Sequence, residues 1–211
     1  MVVLAIVAVS GECNGNQHRR KRSDMHKTSI KFVLAVFFAL LCVAPVAHGL
    51  ESPDLRGRWT STALENYGSH FATRTFVFSD SEWRVTYRAY ADAQGKQPLF
   101  RLEVGGFYVL GQASADVSGA FEGIFPANRR RVIAESDAGV AMFSGMGCIL
   151  EKGKALSLVS HGCGFVPGLM QAMGEYDLVA IKEGHVYFGD RAGDLTKARP
   201  AALTPYPLVR K

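Results

Sequence analysis

The stretch FATRTFVFSDSEWRVTYRAY (residues 71–90) puts a guanidinium where an apolar side chain is expected. Two runs alternate apolar and polar residues around Ser79-Asp80-Ser81, the pattern of a half-buried antiparallel hairpin. In the first run Arg74 shares its side with Phe76 and Phe78; in the second Trp83, Val85, Tyr87 and Ala89 share one side. An uncompensated charge in an apolar enclosure is very costly. Three arrangements avoid that cost: an internal ion pair with a protein carboxylate such as Glu122, pairing with the carboxylate or polar head of a bound ligand, or an Arg74 that faces water. Glu122 lies in an apolar run, AFEGIF (120–125), where alternation sets it with Ala120 and Ile124 and opposite Phe121 and Phe125. Facing inward and facing solvent are both open to it.

Other chemistry is weakly encoded. VSHGCGF (159–165) brings Ser160, His161 and Cys163 together in sequence, but members of a catalytic triad converge from separate elements. No nucleophile, base and orienting group are seen as a set, so no catalytic residue is assigned and the expectation is a protein that is not an enzyme. His161-x-Cys163 supplies two ligands where structural zinc takes four, and His70 and His185 stand alone. No metal or other cofactor is expected. GCILEKGKA (147–155) has five residues between its glycines instead of four and no Ser or Thr after Lys154, so it is not a phosphate loop.

The elements that position these residues are short. Gly57–Ser61 begins a first strand, and Glu65–His70 reads as a loop. After the 71–90 hairpin and a turn at Ala91–Gln97, Leu99–Val104 sets Phe100, Leu102 and Val104 on one face. Gly105-Gly106 marks a break or bulge. Phe107–Gln112 is a further strand. Ala120–Phe125 and Arg131–Ala134 read as a strand pair around a turn at Pro126-Ala127-Asn128, with Arg129-Arg130-Arg131 as a solvated turn or strand end. Asp137–Ser144 is the best short helix, with Asp137 as a candidate cap. Ala155–Ser160 alternates weakly, Gly174–Asp190 is a hairpin turning at Lys182-Glu183-Gly184, and residues 189–211 read as a tail. The fold class expected is all-β: about eight or nine antiparallel strands with turns every ~8–12 residues, closed as a barrel with one short helix.

The N-terminus is read as separate from this domain. Lys27 and Lys31, the apolar run Phe32–Val43 and Ala47-His48-Gly49 make a secretory signal over 25–49, and 12 apolar residues fall short of the ~20 that span a bilayer. Residues 1–24 are then an extension upstream of a start at Met25. The chain holds 24 Lys and Arg against 19 Asp and Glu; six of the basic and two of the acidic residues precede residue 50, which leaves 18 against 17 in residues 50–211. A near-neutral domain gives no electrostatic reason to expect a nucleic-acid partner. Two of the four cysteines, Cys148 and Cys163, lie in the domain, and in a secreted chain they read as a disulfide. Secretion, or export to a periplasm, with no stable membrane anchor, is the expected localisation.

Gly57-x-Trp59 resembles the opening of lipocalins. The longer pattern is Leu55-x-Gly57-x-Trp59-x-Ser61, Glu65, Thr73-Arg74-x-Phe76-x-Phe78, Trp83, Tyr90-x-Asp92, Pro98-x-Phe100, Gly119-x-x-Glu122, Cys148 with Gly162-Cys163, Glu175-Tyr176 and Tyr206-Pro207-Leu208-Val209. It resembles the repeated domain of the adenomatosis polyposis coli down-regulated family, whose animal members are membrane-tethered Wnt inhibitors. The resemblance implies a lipocalin-like barrel whose apolar cavity accepts an acyl chain. Two cysteines usual in the family are replaced by Leu64 and Gly95, as expected if they form one disulfide there. The expected ligand is a fatty acid or lipid acyl chain, contacted by Arg74, Phe76, Phe78, Trp83, Val85, Tyr87, Phe100, Leu102 and Glu122. The alternative is a filled barrel that meets a protein partner through loops at 126–131 or 164–173.

Overall fold

The computed structural model describes residues 51–211. The extension at 1–24 and the signal at 25–49 lie outside them. Period-two patterning yields eleven strands and one helix: β1 (Gly57–Ser61), β2 (Glu65–Asn66), β3 (Phe71–Phe78), β4 (Glu82–Tyr90), β5 (Pro98–Phe107), β6 (Val109–Ala113), β7 (Phe121–Ala134), α1 (Asp137–Ser144), β8 (Ala155–Ser157), β9 (Gly174–Lys182), β10 (His185–Phe188) and β11 (Leu208–Arg210). Eight of them close an antiparallel barrel in the order β1-β11-β10-β9-β7-β5-β4-β3, with β3 pairing back onto β1. The hairpin β3–β4 has the expected register, Phe78 opposite Trp83 and Arg74 opposite Tyr87. Closure leaves no long free edge and an interior wide enough for side chains or one small ligand.

Three expectations need correction. Residues 120–134 are not two strands around a turn but one strand, β7. It passes through Pro126 because it changes neighbours there: Phe121–Pro126 pair with β9, while residues 127–134 pair with β5. The missing proline N–H falls at this exchange, opposite a bulge at Gly105/Gly106. A Cβ on Gly106 would sit 2.0 Å from the Pro126 carbonyl oxygen, so only glycine lets the strands meet there. Residues 126–131 therefore form no outer loop. Second, the segment after 189 is more than a tail, since β11 lies between β10 and β1 and completes the ring. Third, α1 forms where expected, but Ser136 caps it: its side chain accepts the Gly139 N–H at 3.1 Å, and Asp137 sits in the first turn, where the helix dipole favours it.

The core divides between the ends of the barrel. At one end Trp59, Phe76, Phe78, Trp83 and Phe188 pack with Leu55 and Leu208. At the other, Phe100, Phe143, Leu158 and Val166 pack beneath α1 and the segment joined by the Cys148–Cys163 disulfide. Outside the barrel, Leu203 covers the outward-facing Leu178 and Ala180.

Candidate functional site

Between the two clusters lies a cavity of about 510 Å³. Alternation on β3, β4 and β5 aims Arg74, Phe76, Trp83, Val85, Tyr87, Phe100 and Leu102 into it. Phe78 and Glu122 are not among its lining residues. Phe78 lies nearer the 79–81 turn, stacked on Phe76 and edge-on to Tyr108, where aromatics fill the barrel end. Glu122 points away from the interior, its side chain 3.5 Å from the Arg199 guanidinium, because the inward residues of this half of β7 are Phe121, Gly123 and Phe125.

Arg74 finds its carboxylate at Glu65, not Glu122. Its Nε lies 2.9 Å from Oε1 and 2.8 Å from Oε2 of Glu65, and its Nη2 donates to the Tyr206 carbonyl at 2.9 Å. Glu65 is 1% exposed. It also accepts from the Ser61 hydroxyl at 2.6 Å and from the Tyr67 hydroxyl. The segment read as a loop thus holds β2, whose buried glutamate ties β1, β3 and the approach to β11 together. Of the three arrangements open to Arg74, the protein realises the internal ion pair. Beside it, His70 shares a hydrogen bond with the Tyr87 hydroxyl. Burial lowers the His70 pKa and raises those of Tyr67 and Tyr87, so all three are neutral at pH 7.

A second polar group stands on the other wall: Arg130, Glu175, Asp177 and Arg191. Arg191 holds both carboxylates, Glu175 closely and Asp177 at 3.2 Å. Burial opposes its charge, but the two carboxylates outweigh that and raise its pKa. Burial pushes the Asp177 carboxyl up to about 6, against Arg191 and the Gly189 and Leu178 N–H groups, which its Oδ1 accepts at 2.8 Å. Arg130, 5% exposed, is the residue that sequence reasoning missed. Inward positions run Phe121, Gly123, Phe125, Ala127, then shift parity to Arg130, Val132 and Ala134. Asn128 is the inserted residue, since Gly106 pairs with Ala127 and Gly105 with Arg129. The Gly105-Gly106 signal was the clue to that shift.

The segment 164–173 lies at the rim. Phe165, Val166 and Pro167 line the cavity; Phe165 meets Phe100 and Phe143 yet is 52% exposed. Arg130 donates to the Pro167 carbonyl at 2.8 Å and to the Ala172 carbonyl at 3.2 Å, holding the segment to the barrel wall. Cys163 is bonded to Cys148, so it offers no thiol, and the His161 ring shares a hydrogen bond with its exposed neighbour Ser160. Among the described residues no group of three His, Cys, Asp or Glu could hold a metal ion.

These features define a closed β-barrel with a partly apolar interior cavity. Residues 44–146 match the family model described as adenomatosis polyposis coli down-regulated 1. Several pattern positions within the match have structural tasks here. The Trp59 indole donates to the Leu55 carbonyl at 2.7 Å, Ser61, Glu65 and Arg74 form the buried network, and Asp92 accepts three backbone N–H groups in the 91–97 turn. Leu64 and Gly95 are neighbours: a Cβ on Gly95 would sit 3.3 Å from Leu64 Cδ1.

Proposed function

We propose that the protein is an exported carrier that holds one acyl chain in the barrel cavity and makes no covalent change to it. The observation that carries this reading is the cavity itself: aromatics from β3, β4, β5, β7 and β10 surround it without filling it. Its volume falls in the ~300–1,000 Å³ range of small-molecule sites. Each methylene moved from water into such walls contributes about 0.8 kcal/mol, so a long chain binds through apolar contact alone. Export is supported by the disulfide, and no helix among the described residues is long and apolar enough to cross a membrane. A second reading, docking of a protein partner on segment 164–173, is favoured by Met170 and Met173, 71% and 61% exposed.

Native mass spectrometry of the protein produced under oxidising conditions, titrated with hexadecanoic acid, tests the carrier reading. A one-to-one adduct that is lost when Val85→Trp fills the cavity is the expected result. A protein that stays free of ligand at every concentration overturns it and leaves the docking reading. Met170→Ser then separates lid from docking patch: ligand retention changes in the first case only. Leu169 is unsuited to that test because it is buried.

A further inference from the structure

The cavity holds three guanidiniums, and they are unequally paired. Arg74 has both oxygens of Glu65 within 3 Å, and Arg191 has two carboxylates. Arg130 is as deeply buried as Arg74, yet its only carboxylate within 4.0 Å, among the described residues, is Glu175 at that limit. Glu175 is already engaged by Arg191. Against its five N–H donors, Arg130 has two backbone carbonyls. A buried cation so served gains from a further anion more than a satisfied one does, and a carboxylate matches its fork.

Resting on the acyl-carrier reading, we infer that Arg130 is the head-group seat of the cavity and that the ligand is a carboxylate-headed amphiphile. Its head lies under the 165–167 rim that Arg130 itself holds, and its chain runs toward Phe76, Trp83 and Phe188. A monoanion suits the site better than a phosphate dianion, because the Glu175 and Asp177 carboxyl groups stand close by and a second negative charge on the ligand would add to their repulsion. Burial lowers the Arg130 pKa, the sign of a cation that its surroundings compensate incompletely. Arg74 needs no ligand.

The test compares hexadecanoate with hexadecanol at pH 7.5 by competitive displacement of a fluorescent fatty-acid probe, on the wild type, Arg130→Gln and Arg130→Lys, each first checked for native circular dichroism. Charge-assisted hydrogen bonds of this kind give the wild type a preference for the acid of about tenfold or more. Arg130→Gln is expected to lose that acid-over-alcohol preference, read as the ratio of the two affinities, and Arg130→Lys to keep part of it. Equal binding of acid and alcohol by the wild type overturns the inference and leaves the carrier reading standing. So does full preference in Arg130→Gln. If the glutamine variant does not fold, the wild-type comparison and the lysine variant decide: a lysine variant with a reduced acid preference, beside a selective wild type, supports the seat, and one that keeps the full wild-type preference overturns it. Failure of the wild type to bind either compound removes the carrier reading, and this inference with it. A hexadecyl phosphate arm that outcompetes the acid overturns the choice of head group.

Discussion

A guanidinium inside a barrel is informative only with its partners. Arg74 and Glu65 are a buried pair whose remaining hydrogen bonds go to Ser61, Tyr67 and Tyr206. Removing one member of such a pair strands the other, at a cost of about 3–5 kcal/mol. Arg74→Ala should therefore lower the urea midpoint sharply, and any loss of ligand in it reports unfolding, not a lost contact. Asp177 gives a different signature. Its carboxyl titrates near 6 in the folded protein and near 3.8 when unfolded. Between pH 4 and 6 the folded state keeps a proton that the unfolded state has released. This group's contribution is thus most favourable below pH 4, falls as pH rises, and reaches its full cost, roughly 3 kcal/mol, above pH 6. The difference in unfolding free energy between wild type and Asp177→Asn, measured from pH 4 to 7, should carry that slope; a flat difference would show that Asp177 is ionised throughout. Arg74 could be read as inward from the pattern, because FATRTFVF alternates without interruption. Its partner could not: Glu65 lies on a two-residue strand, too short for any period to show, and meets Arg74 only through the β2–β3 pairing.

At the scale of elements, regular hairpins follow from alternation, and irregularities carry what alternation hides. The strands β3, β4, β9 and β10 form where period and turn residues put them. On β7 one inserted residue, Asn128, reverses which side chains face inward, so a run of three arginines that reads as solvated sends its middle member into the cavity. Helix α1 shows a comparable conflict between local preference and packing. Gly139 lies in its first turn, and alanine there would gain about 1 kcal/mol in helix propensity. The added Cβ would instead fall 1.9 Å from the Leu99 carbonyl oxygen of β5, which is backbone and cannot swing aside. Gly139→Ala is expected to destabilise the protein by about 1–3 kcal/mol net, with the change seen in the denaturant midpoint. A stabilised variant would mean that α1 can lift from β5.

At the scale of the molecule, the barrel is closed by its first and last strands. β11 pairs with β1 through Trp59–Arg210, Thr60–Val209 and Ser61–Leu208, and with β10 on its other side. Gly57, at φ +115°, brings the start of β1 under the Arg210 side chain, and that guanidinium lies 4.6 Å from the centre of the Trp59 ring. The Gly-x-Trp opening is therefore one half of a clasp whose other half is more than 150 residues away in sequence, and nothing local in TPYPLVRK marks it as a strand. Two variants separate the parts of this clasp. Arg210→Ala keeps the strand and removes the cation over the ring, so it should cost about 0.5–1 kcal/mol and leave the cavity intact. Deleting residues 208–211 removes the fully buried Leu208 and unpairs both β1 and β10. Exposed edges of that kind template association between chains. The deletion should convert a closed barrel into a species that aggregates, shifts Trp59 fluorescence to the red and does not hold the acyl ligand proposed above. A soluble deletion variant with wild-type fluorescence and ligand retention would show that the barrel closes without β11, and that the clasp is not what keeps the cavity shut.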